Sequence, residues 1–197
     1  VARYARKAKA IALEESFNII HAHDWLSVPA GLAAKRATGK PLVVHIHATQ
    51  FDHAGGNRGD ERAHAIEARA VHEADHIVAV SERVKNILVK KYNGDANKIS
   101  VVHNGVLEEE FQTASSTALD ALREAGNKIV LFVGRITMMK GPDYFIRAAK
   151  RVLEFRPKTI FVVSGSGDME RQMMREAADL RIADKVLFAG FLRGDEL

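Results

Sequence analysis

Short apolar runs rich in Val and Ile recur along this chain, each separated from the next by a stretch whose apolar residues repeat at helical spacing. The runs expected to be strands are 17–22, 42–48, 77–80, 99–103, 129–133, 159–164 and 186–189. Between them lie an amphipathic opening helix with its basic residues outward, and a helix from about Pro29 to before Gly39. Further helices are expected at 61–74, from Ser81 as cap to about Tyr92, at 142–155 and at 168–180. Strand and helix alternating in this way specify an α/β fold of parallel sheets with helices on both faces, and they place ligands beyond the carboxyl ends of the strands. The pattern loosens from Leu107 to Asn127, which reads as a joint (linker 113–127) between a module at 1–112 and one at 128–197. The polar stretch 50–60, QFDHAGGNRGD, is long enough to be a functional loop. Both ends look cut, so both modules are expected to be incomplete.

The most informative stretch is IVLFVGRITMMKGP at 129–142. A buried strand stops at Gly134, two cations follow at Arg135 and Lys140, and Pro142 suits the first turn of a helix, where its missing N–H costs nothing. Unpaired helix amides, the helix dipole and two side-chain cations would all favour a di-anion of phosphate size. Arg offers a rigid fork to phosphate oxygens and Lys a compact charge. The competing reading is a pair of solvated loop cations.

Composition removes other classes. The chain has 197 residues, 47% of them hydrophobic, enough for a real core. No apolar run is long enough to span a membrane, and no signal peptide opens the chain. The absence of cysteine excludes disulfides and thiolate metal sites and fits a reducing cytoplasm. The net charge of +4 is spread among interspersed acids, with no basic block or aromatic platform, so nucleic acid is not expected as a partner.

Seven motifs then occur in a recognisable order: HAHDW at 21–25, HIHA at 45–48, AVSE at 79–82, VVHNGV at 101–106, VGRITMMKGPDYFI at 133–146, VVSGSGD at 162–168 and KVLFAGFLRGDEL at 185–197. In this order they resemble the retaining glycosyltransferases of family 4, GT-B enzymes related to the glycogen synthases. The resemblance implies two Rossmann-like domains, acceptor-side first and nucleotide-sugar-binding second, with the active site in the cleft between them. It implies transfer of a hexose from a nucleoside-diphosphate sugar to a hydroxyl acceptor, a glucan by analogy with glycogen synthases, without a cofactor. Arg135 and Lys140 correspond to the pair that grips the donor diphosphate and stabilises the departing phosphate. Gly134 belongs to the same motif. Gly165 corresponds to the turn where backbone approaches the nucleoside. Phe191 and Leu192 lie where the family's backbone meets the base, Phe191 being equally readable as plain core. His47 corresponds to the histidine beside the transferred sugar, contributing hydrogen bonding near the anomeric carbon.

Other residues stay open. His21, His23, His45 and His47 alternate with apolar residues, so their imidazoles could cluster across adjacent strands and bind zinc. The family is generally metal-independent here and no Asp-x-Asp motif occurs, so no metal is assigned. His21, His64, His72 and His76 are expected to be satisfied structural histidines. Asp24 and Trp25 either touch acceptor or close a turn, Asn104 and Gly105 shape the path into the joint, and Met138-Met139 is packing variation. The family's glycine-rich loop would precede Val1 and its Glu-x7-Glu segment would follow Leu197, so this chain alone is expected to turn over nothing. The rival readings are a GT-B type sugar-nucleotide epimerase and a non-catalytic nucleotide-sugar-binding module.

Overall fold

The computed structural model describes residues 1–105 and 117–192. The chain divides into two compact units, Val1–Gly105 and Val106–Leu197, each carrying one parallel sheet. The start of the expected joint and the closing GDEL motif lie outside the described residues.

The first unit runs α1 (Ala2–Glu14), β1 (Ile20–His23), α2 (Asp24–Thr38), β2 (Leu42–Ile46), α3 (Gln50–His53), α4 (Glu61–Glu73), β3 (His76–Ala79), α5 (Glu82–Tyr92) and β4 (Ile99–Val101). Its strands lie in chain order, β1-β2-β3-β4, all parallel. Right-handed crossovers between strands that follow one another in space put every connecting helix on the same side. The core agrees. Ala22, Leu42, Val44, Ile46, Ile77, Ala79 and Ile99 from the strands pack with Val28 and Leu32 of α2, Ala70 and Val71 of α4, and Val84 and Leu88 of α5. Each such large side chain contributes about 1.5–3 kcal/mol by leaving water. In this unit the expectation of helices on both faces is therefore met on one face only among residues 1–105, because no reversal of strand order sends a crossover to the other side. That other face carries His21, His23, His45 and His76.

Local chemistry sets the ends. Ser81 Oγ accepts from the Val84 N–H at 3.2 Å and caps α5, which Asn93 closes in the left-handed region. Gly39, at φ +70°, closes α2. Two expectations need correction here. β1 starts at Ile20, not Phe17, because pairing begins where the Ile20 N–H meets the Pro41 carbonyl. The second helix starts at Asp24 and contains Pro29 within it. Asp24 makes the turn out of β1 at φ +54°, which an Asp tolerates better than most residues. Ser27 Oγ donates to the carbonyls of His23 and Asp24, binding the first turn to the strand end.

The second unit runs α6 (Thr117–Glu124), β5 (Lys128–Val133), α7 (Pro142–Phe155), β6 (Thr159–Ser164), α8 (Glu170–Asp179) and β7 (Val186–Gly190). Its sheet order is β5-β6-β7, again parallel and in chain order. The central β6 is buried along its whole length, whereas β5, expected to be a buried strand, has Leu131 and Val133 about half exposed because it lies at the edge of the sheet among the described residues. Phe161 and Val163 pack on Ile146 and Ala149 of α7 and on Met173 and Ala177 of α8. α8 begins two residues later than expected because the Met169 N–H still pairs with the Ile136 carbonyl. No helix among the described residues is long and apolar enough to cross a membrane.

Candidate functional site

At the carboxyl ends of β5, β6 and β7 the backbone of the second unit folds into a single seam. The Gly134 N–H donates to Ser164 O at 3.0 Å, Ile136 N–H to Ser166 O at 2.9 Å, and Gly165 N–H to Gly190 O at 2.7 Å. This closeness explains the glycines. A Cβ on Gly165, which sits at φ +137°, would fall 1.9 Å from the Gly134 carbonyl oxygen, and one on Gly167 would fall 2.2 Å from that of Ile136. The approach that excludes a side chain at Gly165 is thus to the neighbouring strand-end turn.

The seam floors a cavity of about 420 Å³ lined by Val133, Gly134, Arg135, Ser164, Gly165, Ser166, Phe191 and Leu192. Five residues singled out from the sequence, Gly134, Arg135, Gly165, Phe191 and Leu192, are brought together here. Lys140 is not among the lining residues; it ends a 3-10 turn, Met138–Lys140, that leads through Gly141 (φ +63°) into Pro142. Arg135 and Lys140 are both exposed, and among the described residues neither pairs with a carboxylate. Asp143, in the first turn of α7, is taken up by Arg147. Phe191 is 65% exposed, which settles against plain core. Met138, read as packing, is 62% exposed and packs little, because the short turn carries its side chain outward. A larger groove of about 550 Å³ beside α1, lined by residues such as Tyr4, Ile11 and Phe17, holds none of the expected site residues.

In the first unit His47 follows β2 at its carboxyl end. Its N–H donates to Asp24 Oδ1 at 2.7 Å, so Asp24 closes the turn by tying the ends of β1 and β2 together. The next residues are held by a capping box, in which Thr49 and Asp52 satisfy each other's backbone amides at the start of α3. Beneath them Glu67 is 1% exposed. It accepts from the Gln50 N–H at 3.1 Å and from the Tyr92 hydroxyl, and its Oε1 has no partner among the described residues. Burial pushes the Glu67 carboxyl above its usual pKa, and burial with Glu67 beside it pushes the Tyr92 hydroxyl up. Sequence reasoning missed Glu67. The available signal was a carboxylate inside the apolar stripe Ala63, Glu67, Ala70, Val71 and Ala74, all buried. The stretch 50–60, expected as a loop, contains α3 because the Thr49 and Asp52 cap stabilises a single turn.

His21, His23, His45 and His47 do gather. His23 and His47 approach through Nδ1 and Nε2 at 3.1 Å, and neighbouring rings lie with centroids 4.3–5.6 Å apart. Burial, then the other imidazoles, lowers the pKa of His21 and of His45, with Asp24 acting in the opposite direction on His45. His76 is satisfied by Ser100 Oγ at 2.8 Å. His64 is not: it stacks on Tyr92 at 4.7 Å, but its Nε2 is buried without a partner among the described residues. His72 is exposed.

Comparison with known proteins follows this geometry. Residues 1–110 match the family model described as Glycosyltransferase Family 4, and residues 119–197 match that described as Glycosyl transferases group 1. A D-inositol 3-phosphate glycosyltransferase of Mycobacteroides abscessus is 35% identical over 191 residues, 92% of this chain and 43% of that protein. An uncharacterized glycosyltransferase of Methanocaldococcus jannaschii is 33% identical over 191 residues, 93% of this chain and 49% of that protein. The chain spans about half the length of the curated relatives it matches. Among solved structures, Anabaena HepE in complex with UDP-glucose superposes with a TM-score of 0.76 at 20% identity, covering 97% of this chain and 52% of that one. The outer core galactosyltransferase WaaB superposes at 0.63 with 19% identity, covering 97% and 48%. The two parallel sheets are Rossmann-like domains of GT-B type.

Proposed function

The chain belongs to the family 4 glycosyltransferases, and from that premise we propose that it serves a retaining hexosyltransferase that moves a hexose from a nucleoside-diphosphate sugar to a hydroxyl acceptor. The observation that carries this reading is the cavity at the ends of β5, β6 and β7, where the backbone of Gly134 and Gly165 meets Arg135. In this account Arg135 and Lys140 hold the donor diphosphate. Their attraction grows as the bond from the anomeric carbon to phosphate oxygen breaks, so it lowers the barrier more than it tightens ground-state binding. The new bond forms to the acceptor oxygen on the face the leaving group departs from, and the acceptor proton passes to the departing diphosphate. Gly134 and Gly165 let the nucleotide lie against backbone, and the Phe191-Leu192 segment meets the base. His47 donates a hydrogen bond to the sugar near its anomeric carbon. The donor is a substrate, no cofactor is needed for the transfer, and a cysteine-free chain suits the cytoplasm.

In an active form of the enzyme, alanine at Arg135 or at Lys140 is expected to lower kcat/KM by roughly tenfold or more. The configuration of the product, read from its anomeric proton coupling, is expected to match that of the donor sugar. Full activity in both variants, or an inverted product, would sink the proposal.

A further inference from the structure

β1 and β2 are parallel neighbours with His23 opposite His45. Residues two apart on a strand share a face, so His21, His23, His45 and His47 rise from the side of the sheet that the core does not use. Such residues start about 6.6 Å apart along a strand, yet the ring centroids of His21 and His23 lie 4.4 Å apart and those of His45 and His47 4.3 Å apart. The rings lean together. One ring nitrogen from each of His21, His23 and His45 falls within 4.8 Å of the others. A tetrahedral zinc ion, with bonds of about 2.0–2.1 Å, holds its nitrogens roughly 3.4 Å apart. Rotating the side chains closes that gap without moving the strands, since both are already in register.

A second observation points the same way. His45 Nε2 is buried and finds no hydrogen-bond partner among the described residues. Leaving a ring nitrogen in that state costs free energy that a ligand would recover. The contact between His23 Nδ1 and His47 Nε2 serves those two rings and leaves His45 Nε2 without a partner among the described residues. A hydrogen-bonded ladder of histidines therefore accounts for only part of the cluster.

We infer that His21, His23 and His45 form a binding site for a divalent transition metal of the zinc type, with the fourth position open to water or to His47. Imidazole donors suit zinc, nickel and copper and not the oxygen-seeking magnesium and calcium. The ion would pin β1 to β2 immediately beside the strand end that presents His47. The site rests on β1 and β2 of the first unit, whereas the diphosphate reading rests on Arg135 and Lys140 of the second, so the two can fail separately.

The test is titration of the tag-free, chelator-stripped chain with zinc chloride, read by calorimetry and by nitrogen-edited NMR of the imidazoles. One ion per chain is expected, shifting the rings of His21, His23 and His45 and leaving His72 and His103 in place. The His21→Ala, His45→Ala double variant should bind zinc roughly a hundredfold more weakly or worse, while a His72→Ala, His103→Ala control binds as before. Circular dichroism establishes that the double variant folds; if it does not, the ring shifts in the unaltered chain decide the matter. No saturable zinc binding, shifts confined to other histidines, or undiminished binding in a folded double variant would overturn the inference.

Discussion

Two strand ends in this chain present polar groups by opposite means. After β5 the turn is held by backbone: glycines at 165 and 167 let neighbouring turns hydrogen-bond so closely that a side chain at either has no room. After β2 the turn is held by side chains: Asp24 anchors the His47 amide, Thr49 and Asp52 cap the next turn, and the buried Glu67 supports it from below. A backbone-held turn leaves Arg135 exposed and without a carboxylate partner among the described residues, which suits an anionic ligand. A side-chain-held turn fixes one residue, His47, at one place.

The sharpest way to break this contrast is alanine at Gly165. Overlap with the Gly134 carbonyl at 1.9 Å and an unfavourable φ should together cost roughly 3 kcal/mol or more in denaturant unfolding. Gly134→Ala meets nothing within 4 Å and should cost less, about 1–3 kcal/mol from its φ of +145° alone. Equal, small effects would show that the seam is not what demands glycine.

On the other side of the comparison, Glu67→Ala leaves the Tyr92 hydroxyl and the Gln50 N–H without their acceptor and should cost about 2 kcal/mol. Its pH dependence has a definite sign. The folded chain holds the Glu67 proton more tightly than the unfolded chain, whose carboxyl titrates near 4.5. The stabilisation is therefore complete below about pH 4.5 and is lost as pH rises through the higher folded value. Glu67→Gln should flatten that slope in unfolding curves taken from pH 4 to 7, and an unchanged slope would assign it to other groups. The smallest effect belongs to Asp24. Asp24→Ala removes the acceptor for His47 and should cost about 1 kcal/mol, whereas Asp24→Asn keeps an acceptor and tolerates φ +54°, so it should stay within about 0.5 kcal/mol. Parity between the two variants would mean the anchor contributes nothing.

The same contrast explains what the sequence made legible. Backbone-held features announce themselves through glycine and proline: α7 runs from Pro142 to Phe155 as expected, β6 matches residue for residue, and five of the expected donor residues line one cavity. Side-chain-held features depend on partners distant in the chain. Asp24 reaches His47 and Glu67 reaches Tyr92 across more than twenty positions, and no local spacing reveals either pairing. The start of α2 was misplaced for that reason, since Pro29 looked like a first-turn residue only while the anchoring of Asp24 was unknown. The one-sided helix layer of the first unit came from strand order, which alternation along the chain does not encode.

The central claim is that Arg135 and Lys140 bind the diphosphate of a donor over the backbone seam. It is tested most directly by saturation-transfer NMR of UDP, GDP and ADP with the 197-residue chain and with its Arg135→Ala, Lys140→Ala variant. The account predicts transfer to one of these nucleotides that disappears in the folded variant. Transfer of equal strength in both proteins would contradict it.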